Sequence, residues 1–499
     1  MLAIPMRIKA VLYFLITFSL ILATASESYS QTRPRVGKKP LTQEEINKQK
    51  AQQDALAGLT GGNLDTESEI GVSSGFHGIV RSNLKGFQIS KENAEKAGLN
   101  VLDSARLLLI TDMPLDDDMK QWSKYLDQAV FQWAEYFNVR MDRLTTWKIR
   151  ACVMKDNVPF MMNDLLPMDL PPFQYGFEYG NNVWLFAQPS RDYQRHLFLH
   201  ECTHAFMNQV MKGCGSLWFG EGLAEYFGTH RIEDGRLTMG IMPKTRNEFP
   251  NWGRIRFIQD DIKNGTFIPL NGFFSSELKS QDNRSYSWAW ALVWLMNSDP
   301  HYKSILQKLS TLPQGNTYRQ RVEIINKAFR ESFSQEEWSK FSTQWRAYIS
   351  DLDYGYDMQT SQITDTRAFP LQNTAFKSVK SDKDWQNMGV ILQKGKTYTI
   401  KASGEYKVSA GEKAWLCQPN GITVKYVRQK PLGILLAALE ASDSGESAQL
   451  SGFVKPIVVG SQTEFTAEQT GAIWMKINAL AGGNPVPGEF ISVEISEKK

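Results

Sequence analysis

Histidine is scarce in this sequence. Six occur among 499 residues, so any two that stand close together carry information. Cysteine is scarcer still. Cys152, Cys202, Cys214 and Cys417 are four in all, too few for a disulfide scaffold of the kind small secreted domains rely on. Neither sign of charge dominates: 56 Lys and Arg stand against 53 Asp and Glu, a net of +3. That balance gives no argument for nucleic acid or an acidic surface as partner. Beyond the N-terminus no apolar run approaches the roughly 20 residues that span a bilayer. What remains is a globular composition, 42% hydrophobic and 22% charged, long for one core and sufficient for two.

The chain opens "MLAIPMRIKAVLYFLITFSLILATASESYSQ". Arg7 and Lys9 precede an apolar run from Val11 to Leu22, and Ala23-Thr24-Ala25 forms a small-residue exit. This layout predicts a signal peptide over residues 1–25, cleaved after Ala25. An uncleaved anchor is the alternative, and the shortness of the run favours export. No cysteine follows the run, which argues against a lipid-modified N-terminus. The expected location is the periplasm, the cell surface or the medium, with no stable membrane span after cleavage. Residues 26–70 are polar and rich in Gln, Lys, Glu and Gly, the composition of a flexible leader.

From residue 71 to 355 the sequence predicts an α+β domain, with strands first and helices after. "ARLLLITD" (Ala105–Asp112), "TWKIRACVM" and "NNVWLFAQP" read as strands. Trp122, Leu126, Ala129, Val130, Trp133 and Phe137 recur at helical spacing. "WGRIRFIQDDIKNG", "SWAWALVWLMNS" and "SQEEWSKFSTQWRAYIS" predict later helices. A linker over 356–370 leads to residues 371–499. There Tyr398, Ile400 and Ala402 alternate with Thr397, Thr399 and Lys401, which predicts an all-β sandwich.

The chemistry concentrates in "LFLHECTHAFM", Leu197 to Met207. His200 and His204 stand four apart, so on a helix both imidazoles lie on one face and can reach one Zn²⁺. Glu201 lies about 100° further round, near enough to meet water beside that ion and poorly placed to be a ligand. His196 is one turn earlier, about 12 Å of rise from His204, and is expected to pack rather than share an ion with it. A catalytic zinc usually has three protein ligands. The stretch "LWFGEGLAEYFG" offers Glu221 as the third, with Glu225 one turn on to hydrogen-bond a ligand imidazole and hold its tautomer. Cys202 points away from the histidine face, and a Cys202–Cys214 bridge stays open on spacing alone.

"HECTH…WFGEGLAEYF" resembles the gluzincin metallopeptidases of the peptidase MA-like group, in which HExxH precedes a W-x-x-E-G-L-A-E-Y helix. The resemblance covers roughly residues 105 to 350. It implies zinc on His200, His204 and Glu221, with Glu201 as catalytic base. It also implies that Tyr286, opening "YSWAWALVWLM", stabilises the tetrahedral oxyanion. Aminopeptidases of that clan anchor the substrate amine with Gly-x-Met-Glu-Asn. Here "YGFEYGNN" supplies Glu178 without the Met-Glu-Asn run, so endopeptidase and aminopeptidase modes both stay open. "NNVWLFAQP" is either an exposed edge for a peptide substrate or an interior strand.

The segment "KPLGILLAALE…FTAEQTGAIWMKINALAGGNPVPGEFISVEI" resembles the bacterial galactose-binding lectin sandwich. That resemblance implies calcium and sugar in the loop after an Asn-Asp pair. Asn478-Ala479 stands at that place. Only Asn478 and Asn484 offer oxygen nearby, and hard cations favour carboxylates, which counts against calcium-dependent sugar binding. The expectation is therefore a secreted zinc metallopeptidase acting on proteins or peptides, with an accessory sandwich that contacts glycans or a cell surface. The alternative is a carbohydrate- or surface-binding protein whose peptidase-like part is a silent scaffold.

Overall fold

The apolar run Leu107–Thr111 lies at the middle of a sheet, which is why it shows no alternation. All five of its residues are buried. The computed structural model describes residue 84 and residues 86–498, apart from 275–277, 280–281, 313–316, 409–414, 442–451 and 480–485. The expected signal peptide and leader lie outside the described residues, as does Asn484. Strands β1 (Asn100–Asp103), β2 (Leu107–Thr111), β3 (Ile149–Met154), β4 (Gly176–Tyr179) and β5 (Asn182–Phe186) form one sheet in the order β1-β2-β3-β5-β4. Its centre, β2-β3-β5, is parallel, and the two outer strands are antiparallel to their neighbours. Leu107, Leu109, Ile149, Ala151, Val153, Val183 and Leu185 face one core, while Leu108, Ile110, Cys152, Met154 and Trp184 face another. Strands covered on both sides need side chains that are apolar at every position. The interior reading of "NNVWLFAQP" therefore holds: β5 lies between β3 and β4, and the edge is β4.

The helices among the described residues are α1 (Lys91–Lys96), α2 (Trp122–Tyr136), α3 (Val158–Met161), α4 (Arg191–Val210), α5 (Leu217–Gly228), α6 (Arg254–Lys263), α7 (Asn283–Asn297), α8 (Pro300–Ser310), α9 (Tyr318–Glu331) and α10 (Gln335–Asp351). This part of the chain is mixed α+β. Helix α4 starts where the Ser190 hydroxyl accepts from Tyr193 N, with Asp192 in its first turn, both favourable at a helix N-terminus. Of its 20 residues 14 are buried, because it is enclosed between the sheet and α5. Gly222 lets α5 and α7 approach closely. A Cβ there would come within 2.6 Å of Val293 Cγ2 and 2.7 Å of the Ala289 carbonyl.

Strands β6 (His230–Glu233) and β7 (Arg236–Met239) make a hairpin directly after α5. His230, 3% exposed, has its Nδ1 2.8 Å from the Gly228 carbonyl and accepts at Nε2 from Arg195 Nε at 3.2 Å. This pattern fixes the neutral tautomer, with hydrogen on Nδ1. Burial first, then the charges of Arg195 and His196, push the imidazole down from 6.5 to about 3, against the pull of the Gly228 bond. The unfolded chain thus binds a proton that the folded chain refuses. Stability is full above pH 6.5 and falls as pH drops towards 3, by up to about 1.4 kcal/mol per pH unit from this residue. Urea midpoints between pH 7 and 4.5 are expected to decline less steeply in His230→Gln than in wild type. Parallel declines would show that His230 contributes nothing.

From Phe369 onward the described elements are strands. One sheet runs Gln462–Thr466, Thr397–Ser403, Phe490–Glu497, Thr374–Lys380; the other runs Asn420–Val427, Lys430–Glu440, Gly471–Ile477, Gln386–Leu392, Phe369–Pro370. Tyr398, Ile400, Ile491, Val493 and Ile495 from the first meet Leu435, Ala437, Ile473 and Met475 from the second. The second sheet also buries its outer face. Leu436, Ala438, Trp474 and Trp385 pack there with Ala347 of α10. Beside that contact Asp351 pairs with Arg428 and with Lys476. Lys476 Nζ lies 3.0 Å from Asp384 Oδ1, and Trp385 Nε1 donates to Asp351 at 3.2 Å.

Candidate metal centre

The i,i+4 spacing on α4 places His200 and His204 on one face, edge to face with ring centroids 4.7 Å apart. Helix α5 brings Glu221 against them. The three donor atoms form a triangle: His200 Nε2 to His204 Nε2 is 3.1 Å, and Glu221 Oε2 is 3.3 Å from each. All three residues are buried. Ligands of a tetrahedral zinc at 2.0–2.1 Å stand about 3.3–3.4 Å from one another, so the triangle is close to the size such an ion needs. Burial works to raise the Glu221 carboxyl, but His204 and His200 outweigh it and hold it down to about 2. Burial likewise works to lower His204, and Glu221 outweighs it, pushing the imidazole well up. The cluster therefore favours positive charge at its centre. Two imidazoles and one carboxylate fit zinc.

Glu201 is not a member of the triangle. Its carboxyl is raised by burial, against the pull of His200 and His204. Oε2 finds no hydrogen-bond partner among the described residues. Its other oxygen lies under β4: a Cβ on Gly176 would come within 2.6 Å of Glu201 Oε1. A side chain at that position would force the Glu201 carboxylate or Leu185 to shift. Tyr286, half-buried in the first turn of α7, faces His200 with ring centroids 6.2 Å apart.

Glu225 lies one turn beyond Glu221. Its Oε1 is 3.5 Å from His200 Nδ1 and its Oε2 is 3.3 Å from His196 Nε2. His200 Nδ1 makes no hydrogen bond among the described residues; the nearby Glu225 charge alone favours hydrogen on Nδ1, with Nε2 turned to the triangle. Arg254 grips the same carboxylate from α6, through Nε at 3.0 Å and Nη2 at 2.7 Å. Burial would raise the Glu225 carboxyl, but Arg254 and then His196 hold it well below the carboxylate range. His196, His200 and Glu225 also meet the spacing of a metal set, yet the guanidinium already covers both oxygens. His196 packs, stacked on Tyr193 with centroids 5.6 Å apart. Arg254 was not readable from the motif, since it follows Glu225 by 29 residues on another helix. Tyr318, in the first turn of α9, was also missed. Burial and the nearby Glu221 charge push its phenol up to about 12.

Cys202 and Cys214 form no bridge; both are free thiols. Cys202 is buried in the core. Cys214 instead lies 3.7 Å from His204 Nδ1 and donates to Asn208 Oδ1 at 3.1 Å. Glu178 on β4 accepts from Asn208 Nδ2 at 3.0 Å. In the sandwich, Asn478 donates its amide hydrogens to the carbonyls of Pro431 at 2.9 Å and of Val427 and Lys430 at 3.2 Å. Among the described residues both clusters spaced for a cation lie on α4 and α5. No described helix is long and apolar enough to cross a membrane.

No protein-family model matches the sequence, and no curated protein matches it. Among solved structures, the N-terminal domain of EclA, described as a PllA-like lectin, is 19% identical over 26% of this chain and 97% of its own, with a TM-score of 0.19. The IMPa metallopeptidase of Pseudomonas aeruginosa, solved with T-antigen and with an O-glycopeptide, is 10% identical. That match covers 54% of this chain and 26% of IMPa, with TM-scores of 0.16 and 0.15. These likenesses are partial and weak.

Proposed function

We propose that this chain is an exported zinc metallopeptidase of gluzincin type that hydrolyses peptide bonds. The observation that carries the reading is the buried triangle of His200, His204 and Glu221, with edges of 3.1, 3.3 and 3.3 Å. A zinc ion held by those residues polarises a carbonyl and lowers the pKa of water towards about 7. The remaining work belongs to the protein. Glu201 takes a proton from the water as its oxygen bonds to the carbonyl carbon, then delivers it to the amine nitrogen as the C–N bond breaks. The Tyr286 hydroxyl faces the developing oxyanion and donates to it. Glu225, anchored by Arg254, keeps hydrogen on His200 Nδ1. Strand β4, at the edge of the sheet among the described residues, receives an extended substrate. The sandwich serves an accessory role in contact with glycans or a surface.

Elemental analysis of the purified full-length chain, run beside turnover of a peptide library, tests the reading. About one zinc per chain and cleavage abolished by a chelator are expected. Metal-free protein that turns over no peptide, yet binds glycan saturably, would overturn it in favour of the silent scaffold.

A further inference from the structure

His200 and His204 differ in what stands behind them. His200 Nδ1 faces the Glu225 carboxylate; His204 Nδ1 faces a thiol. The thiol does not end the path. Cys214 Sγ donates to Asn208 Oδ1 at 3.1 Å, and Asn208 Nδ2 donates to Glu178 Oε2 at 3.0 Å. Each direction follows from the chemistry of the atoms. The Asn208 nitrogen is the atom that lies against Glu178, and the carboxyl oxygen accepts from it. The Asn208 oxygen is then left towards Cys214, and an oxygen there requires the S–H to donate. Cys214 sulfur keeps a lone pair for the His204 Nδ1–H group, with Sγ 3.7 Å from Nδ1, within reach for a sulfur acceptor.

The folding of the chain explains the placement. Glu201 and Asn208 are seven residues apart and share a face of α4. Gly176 and Glu178 are two apart and share a face of β4. One face meets the other twice, Gly176 against Glu201 and Glu178 against Asn208. Cys214 is brought in by the turn between α4 and α5, flanked by Gly213 (φ 156°) and Gly215 (φ 71°). At Gly220 a Cβ would come within 2.9 Å of the Cys214 carbonyl, so the turn can lie tight against α5 only with glycine there.

We propose that Glu178, Asn208 and Cys214 form a one-way hydrogen-bond relay that fixes the tautomer of His204 and so positions its Nε2 for the metal. Glu178 is the acceptor that ends this relay, in place of the role in gripping a substrate amine that its position in "YGFEYGNN" suggested. The inference rests on the zinc reading above. It makes these three positioning residues, ending on the same strand that covers Glu201.

Zinc affinity of the full-length chain, measured by chelator competition, tests the relay, with the melting temperature of the zinc-free chain as control. Cys214→Ala and Asn208→Leu are each expected to weaken zinc binding about 10- to 100-fold without shifting the zinc-free melt in proportion. The Asn208 side chain hydrogen-bonds Cys214 and Glu178 and reaches the His204 imidazole only through the thiol, so a packing role would not predict its effect on zinc. Cys214→Ser, whose hydroxyl can accept and donate in turn, is expected to fall between wild type and Cys214→Ala. If Cys214→Ala fails to fold, Asn208→Leu decides. Affinities for both within about twofold of a zinc-binding wild type would overturn the relay alone. A wild type that binds no zinc would overturn the relay and the zinc reading together.

Discussion

Glu201→Gln is expected to lower kcat/KM for peptide hydrolysis by about 10²–10⁴ while zinc content stays at the wild-type level. The size follows from what a general base contributes, equivalent to about 3–5 kcal/mol of transition-state stabilisation. Glutamine keeps the shape of the side chain and an accepting oxygen, so water can still be oriented. What it loses is the ability to take a proton and return it. Metal binding should survive, because the triangle consists of His200, His204 and Glu221 and omits Glu201. The fold should survive too. Glu201 is 3% exposed and its carboxyl is raised by burial, so a neutral amide removes a charge the interior disfavours. Single-turnover hydrolysis together with elemental analysis checks both halves. Activity within tenfold of wild type would remove Glu201 from the mechanism.

The second large effect concerns the metal itself. Glu221→Ala is expected to weaken zinc binding more than a hundredfold, leaving the purified variant close to metal-free after dialysis against a weak chelator. Loss of a group behind a ligand already costs about 10- to 100-fold, and Glu221 is the only anionic donor of the triangle. Without it, two imidazole nitrogens 3.1 Å apart face one another with no carboxylate to offset a cation between them. His204→Ala should do the same by removing one of the two imidazoles. Elemental analysis across the two variants and wild type is the measurement. Full zinc occupancy in either would mean that the ion sits elsewhere.

How much of this could be read from the letters depends on the range of each interaction. The pairing of His200 with His204 is legible because helical periodicity is local: four residues fix one face. The parallel strands are legible for the same reason, since Leu107–Thr111 and Asn182–Phe186 have no polar alternation to mislead. The contact of Glu221 with both imidazoles needs two helices packed at short range. It is legible only through the need for a third ligand and the pattern of "LWFGEGLAEYFG", which offer Glu221 without showing the packing. Arg254 and Asn208 carry no signal at all: an arginine or an asparagine on a helix looks solvated until another helix or strand covers it. Cys214 shows the opposite error. Its spacing to Cys202 allowed a disulfide, and the turn geometry sends its sulfur to His204 instead. The strands β4, β6 and β7 run only four residues each, too short for a pattern to stand out. Helices α8 and α9 do carry apolar residues at helical spacing, Ile305, Leu306 and Leu309 in one and Ile325 and Phe329 in the other, and were missed despite it.

The Asp351 carboxylate at the end of α10 has a consequence for how the chain breaks. It is held between Arg428 and Lys476, and Ala347 one turn earlier is wedged among Trp385, Phe453 and Trp474. A protease that nicks the stretch between residues 352 and 368 would cut the covalent thread and leave both fragments clasped. Neither piece could drift off without stranding an acid in an apolar seam.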